Sequence, residues 1–482
     1  MSKRILIIGD CYNRNTGYST VINNLIKNFD ESHTVAQLGL SHMPIQFNNC
    51  TLDDYYSPIL NHAHCCNNTE PAIEHFNKAT NTVEYIKPTS NLDDAGQLCT
   101  QGRPNQQDPY NFDSAYYVIE HFKPDVVIAI NDIWGMYKLM FIKNRKNFKL
   151  ISYIAVDSEC FPLIIKNKDT INTLQFIENC DKVIVFTEWA KKTINKSAMI
   201  GIKKEISNIE VIPHGVDKDK FFNIPNSRNE IIKAFYKLDP DKIFLIGSVN
   251  RNQPRKRLDA IFQILSRLIK THEKPNGRKF MVHFHCAIND NNGWDLQWLS
   301  AYYNVQDRII LDPNLKPGIG VPDTVLNNIM NSYDVHLVPT NSEGWALSIL
   351  ETMSCGVPNV ISDYSAHGDW AKGSALMIKL VAKIHEPITN HIKGIISVKD
   401  AAKKIALLYN NPKLLKEYKN KSLKLANNLQ WKNVCVKWNE LLTNLDISDL
   451  KLDRYDNKVL DTTNVLSFPS DPIETEFEVL EV

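Results

Sequence analysis

The sequence predicts an α/β protein made of two Rossmann-like, doubly wound domains that face each other across a cleft. Two observations predict it. Short β-rich runs alternate with helical patterns through most of the 482 residues, which calls for parallel sheets covered by helices. These runs also form two series separated by a polar stretch, and a 43% hydrophobic content is enough for two sizeable cores.

Taken in order, the first series has strands near Ile5–Gly9, Val126–Ile130, Leu150–Ala155, Val183–Phe186 and Ile209–Ile212. Helical patterns lie near Tyr18–Phe29, Ser114–His121 and Glu188–Ser197. The second series opens at Phe244–Val249 and continues through Met281–His285, Ile309–Leu311, Val335–Val338 and Asn359–Ile361. Between the two lies Pro213-His-Gly-Val-Asp217, followed by a polar, Pro- and Asn-containing stretch to about Asn229. That divides the chain into residues 1–215 and 216–430. Two doubly wound domains would place a ligand outside the strand carboxyl ends, in the crevice between them.

Composition excludes several classes. Lys+Arg 55 against Asp+Glu 54 gives a net charge of +1, so there is no general pull toward nucleic acid or an anionic membrane. Ten cysteines without a regular framework suit a reducing compartment. Lys3-Arg-Ile-Leu-Ile-Ile-Gly9 is too short for a signal peptide and reads as the first strand. No apolar run reaches the ~20 residues that span a bilayer. The expectation is a soluble, cytoplasmic protein. Lys191, Lys192, Lys196, Lys203 and Lys204 could attract anionic lipid, but Asn and Ser interrupt the apolar face, and a solvated helix is the better reading.

Residues about 41–112 read as an irregular insertion, with Asn91–Asn111 a polar loop. Cys50, Cys65, Cys66, Cys99, His42, His62, His64 and His75 gather there, but without C-x2-C or H-x3-5-H spacing they argue against a zinc site. Residues 446–482 carry ten acidic against three basic residues with little helical periodicity, which predicts a loosely held tail.

The chemistry concentrates in Asn341-Ser-Glu-Gly-Trp-Ala-Leu-Ser-Ile-Leu-Glu351. A buried strand precedes it and a helix over Leu347–Cys355 follows. Glu343 falls in the turn, and Glu351 lies eight residues on, about 12 Å along a helix axis. The amides of Gly344, Trp345, Ala346 and Leu347 would open the helix, where unpaired N–H groups favour a phosphate. Two acids flanking an anion-binding helix start suit a ligand with hydroxyls at both ends and a diphosphate between.

With its continuation Met353-Ser-Cys-Gly-Val-Pro-Asn-Val-Ile-Ser362, this segment resembles the E-x7-E signature of retaining glycosyltransferases of family 4, commonly EG(F/W)(G/A)LxxLEAMxxGxPV. Ala346 stands where Gly is frequent. The resemblance covers about residues 3–430 and is specific mainly from Phe244 to Ser362. It implies the GT-B fold, a nucleotide-sugar donor linked to GDP or UDP, and front-face transfer of a hexose to a hydroxyl acceptor. That acceptor could be a glycan, a lipid-linked sugar or a small molecule. It also implies a last helix crossing back to the first domain, for which residues 431–445 are the candidate.

Further site residues follow from the resemblance. In Asn250-Arg-Asn-Gln-Pro-Arg-Lys-Arg-Leu-Asp259 an Arg and a Lys would bind the donor diphosphate. Arg251 with Lys256 is the favoured pair, and Arg255 is adjacent. Gly17 would let backbone approach the donor, and Asp157, ending a strand, would contact the acceptor; Asn131-Asp132 is a weaker version. Catalytic work would thus fall to Arg251, Lys256, Glu343 and Asp157, with Glu351 on the ribose. Asp217-Lys-Asp219 and Asp239-Pro-Asp241 are misplaced for a metal-holding pair, so no metal and no further cofactor are expected. His214 lies in the hinge motif, where the resemblance makes it structural as often as catalytic; His283 and His285 read as core. A GT-B epimerase and a non-catalytic carbohydrate-binding protein are the alternatives.

Overall fold

In β1 (Arg4–Gly9) every residue after Arg4 is buried, as befits a central parallel strand covered on both faces. The computed structural model describes residues 2–10, 16–39, 54–57, 73–77, 82–86, 115–142, 144–159, 164–165, 171–290, 292–316, 320–387, 390–450 and 455. The first sheet continues with β2 (Thr34–Gly39), β3 (Asp54–Ser57), β4 (Ile73–Asn77), β5 (Thr82–Ile86), β6 (Val126–Ile130) and β7 (Lys149–Ile154). A separate ribbon, β8 (Ile164–Ile165) with β9 (Ile171–Asn172), precedes β10 (Lys182–Val185) and β11 (Ile209–Val211). The nine strands run in the order β11-β10-β7-β6-β1-β2-β3-β4-β5. Pairing is parallel through β3 and antiparallel at β4 and β5.

The second sheet holds β12 (Ile243–Val249), β13 (Lys279–His285), β14 (Ile309–Leu311), β15 (Val335–Val338), β16 (Asn359–Ser362) and β17 (Leu376–Ile378). All are parallel, in the order β14-β13-β12-β15-β16-β17. Helix Leu258–Thr271 shows why they are covered. Leu258, Ile261, Phe262, Leu265 and Leu268 recur at helical spacing, and all are buried against the sheet. Outside the sheet, β18 (Leu380–His385) and β19 (Ile392–Ile396) form an antiparallel hairpin.

The two domains share one continuous apolar core, because the last helix crosses between them. In Trp431–Asn444, Trp431, Val434, Cys435, Trp438 and Leu442 are buried along one stripe. That stripe packs on helix Gly17–Asn28 of the first domain. Trp438 lies 5.1 Å from the Tyr153 ring and 6.2 Å from Phe29. Lys3 Nζ donates to the carbonyls of Leu442 and Thr443, placing a cation at the negative end of the helix. The hinge is clamped to the start of this helix, with the Val216 N–H donating to Leu429 O at 2.8 Å and Trp431 N–H to Val216 O at 3.2 Å. A Cβ on Gly215 would fall 2.6 Å from Trp431 N, so only glycine fits there.

Two expectations need correction. The stretch read as an irregular insertion supplies three strands, β3 to β5, to the edge of the first sheet. Cys50, Cys65, Cys66, Cys99, His42, His62, His64 and the polar run Asn91–Asn111 lie outside the described residues; His75 lies in β4. The acidic end is not wholly loose. Tyr455 is buried with its hydroxyl donating to Pro124 O at 2.8 Å, and Asp449 pairs with Lys149 at 2.6 Å. The remainder of that end lies outside the described residues.

Candidate functional site

Glu343 is the centre of the cluster. It sits in the turn after β15 and is only 5% exposed. Arg255 Nη1 lies 2.8 Å from its Oε1, the Lys256 ammonium bonds the same oxygen, and Thr340 Oγ1 lies 3.3 Å from it. Its own N–H donates to Ser365 Oγ at 2.9 Å, fixing the turn. Burial pushes the Glu343 carboxyl up, but Arg255 and Lys256 together outweigh burial and hold it well below the usual carboxylate range. Burial pulls the Lys256 ammonium down against the opposing pull of Glu343, while Glu343 raises Arg255.

Both cations come from the turn after β12. Pro254–Lys256 forms a single 3-10 turn, and Arg257 follows at φ +54°. The Arg255 carbonyl accepts from the Asn341 N–H at 2.9 Å and from Thr340 Oγ1 at 2.8 Å, which ties this turn to the Glu343 loop. Arg251, the cation favoured from sequence, points elsewhere. It is 64% exposed and pairs with Asp290 at 3.2 Å. The pair brought together at Glu343 is Arg255 with Lys256.

The next turn opens helix Leu347–Ser354. Trp345 is buried, stacked on Trp370 at 4.5 Å and 13°, and its carbonyl accepts from Trp370 Nε1 at 2.9 Å. His214 from the hinge meets its edge at 5.5 Å, so the hinge reading of that histidine fits its place. Gly344 presses on the first domain, where an added Cβ would lie 3.0 Å from Ala155 Cβ. Gly17, at the start of the first domain's helix, faces Leu347; a Cβ there would meet Leu347 Cδ1 at 3.6 Å. The starts of the two helices therefore face one another across the cleft.

Asp157 closes the opposite wall. It lies 3.5 Å from Lys393 Nζ and accepts from Ser342 Oγ at 3.5 Å. Lys393 itself donates to Ser342 Oγ at 2.8 Å. Asp132 accepts from Tyr18 Oη at 2.8 Å; burial, with Asp157 and Asp10 adding to it, raises its carboxyl pKa. Nothing in the sequence pattern singled out Lys393, which lies in a hairpin far down the chain.

Comparison with known proteins bears on the fold and on part of the chain. Residues 240–392 match the family model for glycosyl transferases group 1. Mannosylfructose-phosphate synthase from Agrobacterium fabrum is 22% identical over 209 residues, 42% of this chain and 43% of the relative, so the match spans less than half of that protein. Among solved structures, Anabaena Alr3699/HepE in complex with UDP and glucose aligns with a TM-score of 0.61 at 11% identity, over 92% of this chain and 100% of that one. Sucrose-phosphate synthase from Thermosynechococcus elongatus aligns at 0.60 and 13% identity, over 91% and 98%. The chain thus has a GT-B fold, and residues 240–392 of it resemble group 1 glycosyl transferases.

In the second domain Glu351 stands apart from Glu343. Its carboxyl has no hydrogen-bond or ion-pair partner among the described residues, while Asp323, which pairs with Lys220 at 2.8 Å, lies near enough to act on its charge. Burial, with Asp323 adding and Lys220 opposing, pushes it up to about 7 from an ordinary 4.5. The folded protein then holds more proton than the unfolded chain between these values, so stability falls as pH rises through that window. Glu351→Gln removes the slope. In the absence of ligand its melting temperature is expected to gain on the wild type between pH 5 and pH 8, by up to about 3 kcal/mol of stability. A gap that stays constant with pH would count against this account of Glu351.

Ala346 adopts φ +69°, ψ 78°, a left-handed conformation that costs a residue bearing a Cβ about 1–2 kcal/mol. Ala346→Gly is expected to stabilise the second domain by about 0.5–1 kcal/mol, read as a higher unfolding midpoint in denaturant. A lower midpoint would mean that the methyl contact outweighs the strain.

The remaining candidates sit away from the cluster. His283 is buried with Nδ1 2.9 Å from Tyr333 Oη, a core position. His285 shares its face and is mostly buried. Asp217 and Asp219 both pair with Lys27, and Asp239 pairs with Lys242. Among the described residues no group of three His, Cys, Asp or Glu side chains could hold a metal ion. Among them, too, no helix is long and apolar enough to cross a membrane.

Proposed function

We propose that the chain is a retaining glycosyltransferase of the family 4 type, moving a hexose from a nucleoside-diphosphate sugar to a hydroxyl acceptor without a metal. The observation that carries this reading is the convergence of Arg255 and Lys256 on buried Glu343 at the mouth of helix Leu347–Ser354, opposite Gly17 and Asp157. Two cations and a row of helix-opening amides suit a departing diphosphate, whose charge they stabilise most as it develops. Glu343 holds both cations in place and orients the sugar side. Glu351 receives the ribose hydroxyls, and Asp157 faces the acceptor. Arg251 stands at the rim and adds its charge only by leaving Asp290. The E-x7-E spacing from Glu343 to Glu351 matches this division of labour.

A relative that holds UDP and glucose speaks for a UDP-linked donor. The test is a panel of UDP- and GDP-sugars incubated with the purified protein, with and without glycan and small-sugar acceptors, reading released nucleoside diphosphate. One donor is expected to turn over, with retention of anomeric configuration in the product by NMR. An inverted product would overturn the mechanism. If no donor gives either release or thermal stabilisation, the transferase reading is overturned.

A further inference from the structure

The hairpin β18–β19 belongs to neither large sheet, yet it reaches the first domain at three consecutive residues. These are Asp157, Ser158 and Glu159, immediately after β7. Lys393 contacts Asp157 at 3.5 Å. Ser158 Oγ accepts from the Ile392 N–H at 2.7 Å and donates to the Ile392 carbonyl at 3.1 Å. Lys383, one rung along the hairpin, pairs with Glu159. The hairpin is equally well tied to its own domain. The Gly394 N–H donates to Asn341 O at 2.9 Å, and Tyr364 Oη donates to Ile392 O at 2.5 Å.

Lys393 is the unusual member. Its side chain is only 5% exposed, and its ammonium touches Ser342 Oγ at 2.8 Å, Asp157 and, at 3.8 Å, Glu386. A buried ammonium is costly to desolvate and persists only where its partners are held in place. Ser342 is the residue before Glu343, and Asp157 is on the other domain. One cation therefore sets the distance between the acid on the acceptor wall and the loop that holds the diphosphate cations.

We propose that Lys393 is a positioning residue of the transfer reaction and that the hairpin β18–β19 is the latch that brings Asp157 into register with Glu343. The positioning role rests on the transferase reading above; the latch does not. Lys393 needs no contact with substrate. It acts through Asp157 and Ser342, and a small displacement of either wall is enough to misalign donor and acceptor.

The test compares Lys393→Met with Lys393→Arg. Without substrate, hydrogen exchange of peptides covering 155–159 and 380–396 is expected to speed up at least about tenfold in Lys393→Met and to stay near wild type in Lys393→Arg. With the donor that the panel selects, kcat is expected to fall about 10–100-fold in Lys393→Met. The dissociation constant for UDP, or GDP if the donor is GDP-linked, should change less than about threefold, and Lys393→Arg should recover most of the loss. Unchanged exchange in Lys393→Met would overturn the latch. Unchanged kcat, or an equal loss of nucleotide affinity, would overturn the positioning role. If Lys393→Met does not fold, Ser158→Ala removes both bonds to Ile392 and must loosen the same peptides. A wild type that no donor either turns over or stabilises would sink the transferase reading and with it the positioning role, while the exchange result still decides the latch.

Discussion

Lys256→Ala is expected to lower kcat about 10²–10³-fold, with a much smaller change in nucleotide affinity. The side chain is almost wholly buried and ends on Glu343, so its charge sits in a place where water screens little. As a sugar–phosphate bond breaks, charge gathers on the departing diphosphate, and a fixed ammonium stabilises that state more than the bound donor. Loss of such a group falls on kcat, whereas a uniform binding contact would fall on KM. Lys256→Arg should restore part of the rate, because it keeps the charge and alters the geometry. Steady-state kinetics with the donor selected by the panel, paired with calorimetric titration of its nucleoside diphosphate, measures both quantities. A loss below about tenfold would mean that Arg255 and the helix amides carry the departing charge without it.

Glu343→Ala is expected to cost about 3–5 kcal/mol of stability in the absence of ligand, because Arg255 and Lys256 would be left facing each other at a buried site. The sign with pH follows from the depressed carboxyl. The stabilisation it gives is fully present above the ordinary 4.5 and is lost as pH falls below it toward the depressed value, so the cost of the substitution shrinks in acid. The same argument gives a ligand effect. A nucleoside diphosphate supplies negative charge to the stranded cations, so its thermal stabilisation should be larger in Glu343→Ala than in the wild type at equal saturation. Melting curves across pH 3.5–8, with and without UDP and GDP, test both parts. An equal ligand shift in both proteins would separate Arg255 and Lys256 from the diphosphate site.

The sequence revealed as much of this architecture as local pattern can carry. Ile5–Gly9, Val126–Ile130 and Phe244–Val249 are legible because a strand covered on both faces must be continuously apolar. The crossing helix was expected from the family resemblance, while its buried stripe of Trp431, Val434, Cys435, Trp438 and Leu442 becomes visible only in the packed structure. β3, β4 and β5 were missed: they are short, mixed in polarity and set in polar sequence, so period alone does not find them. The choice between Arg251 and Arg255 depends on one tight turn at Pro254–Lys256, whose direction spacing cannot encode. Lys393 was out of reach for another reason. A lysine in a polar hairpin has no local mark, and its importance arises only where the second domain meets the residues after β7. Ala346 was noticed as a departure from the usual glycine, but its strained backbone becomes visible only in three dimensions.

The crossing helix has a consequence for how the molecule is made. The socket around Phe29 and Tyr153 is filled by Trp438, which leaves the ribosome only after the entire second domain. The first domain stays incomplete until Trp438 has been made, and its open apolar socket is exposed throughout that interval. Assembly must therefore run from the second domain back to the first. A chain cut at residue 430 is expected to leave that socket open, to be filled only by a helix supplied from outside, as a separate peptide could supply it.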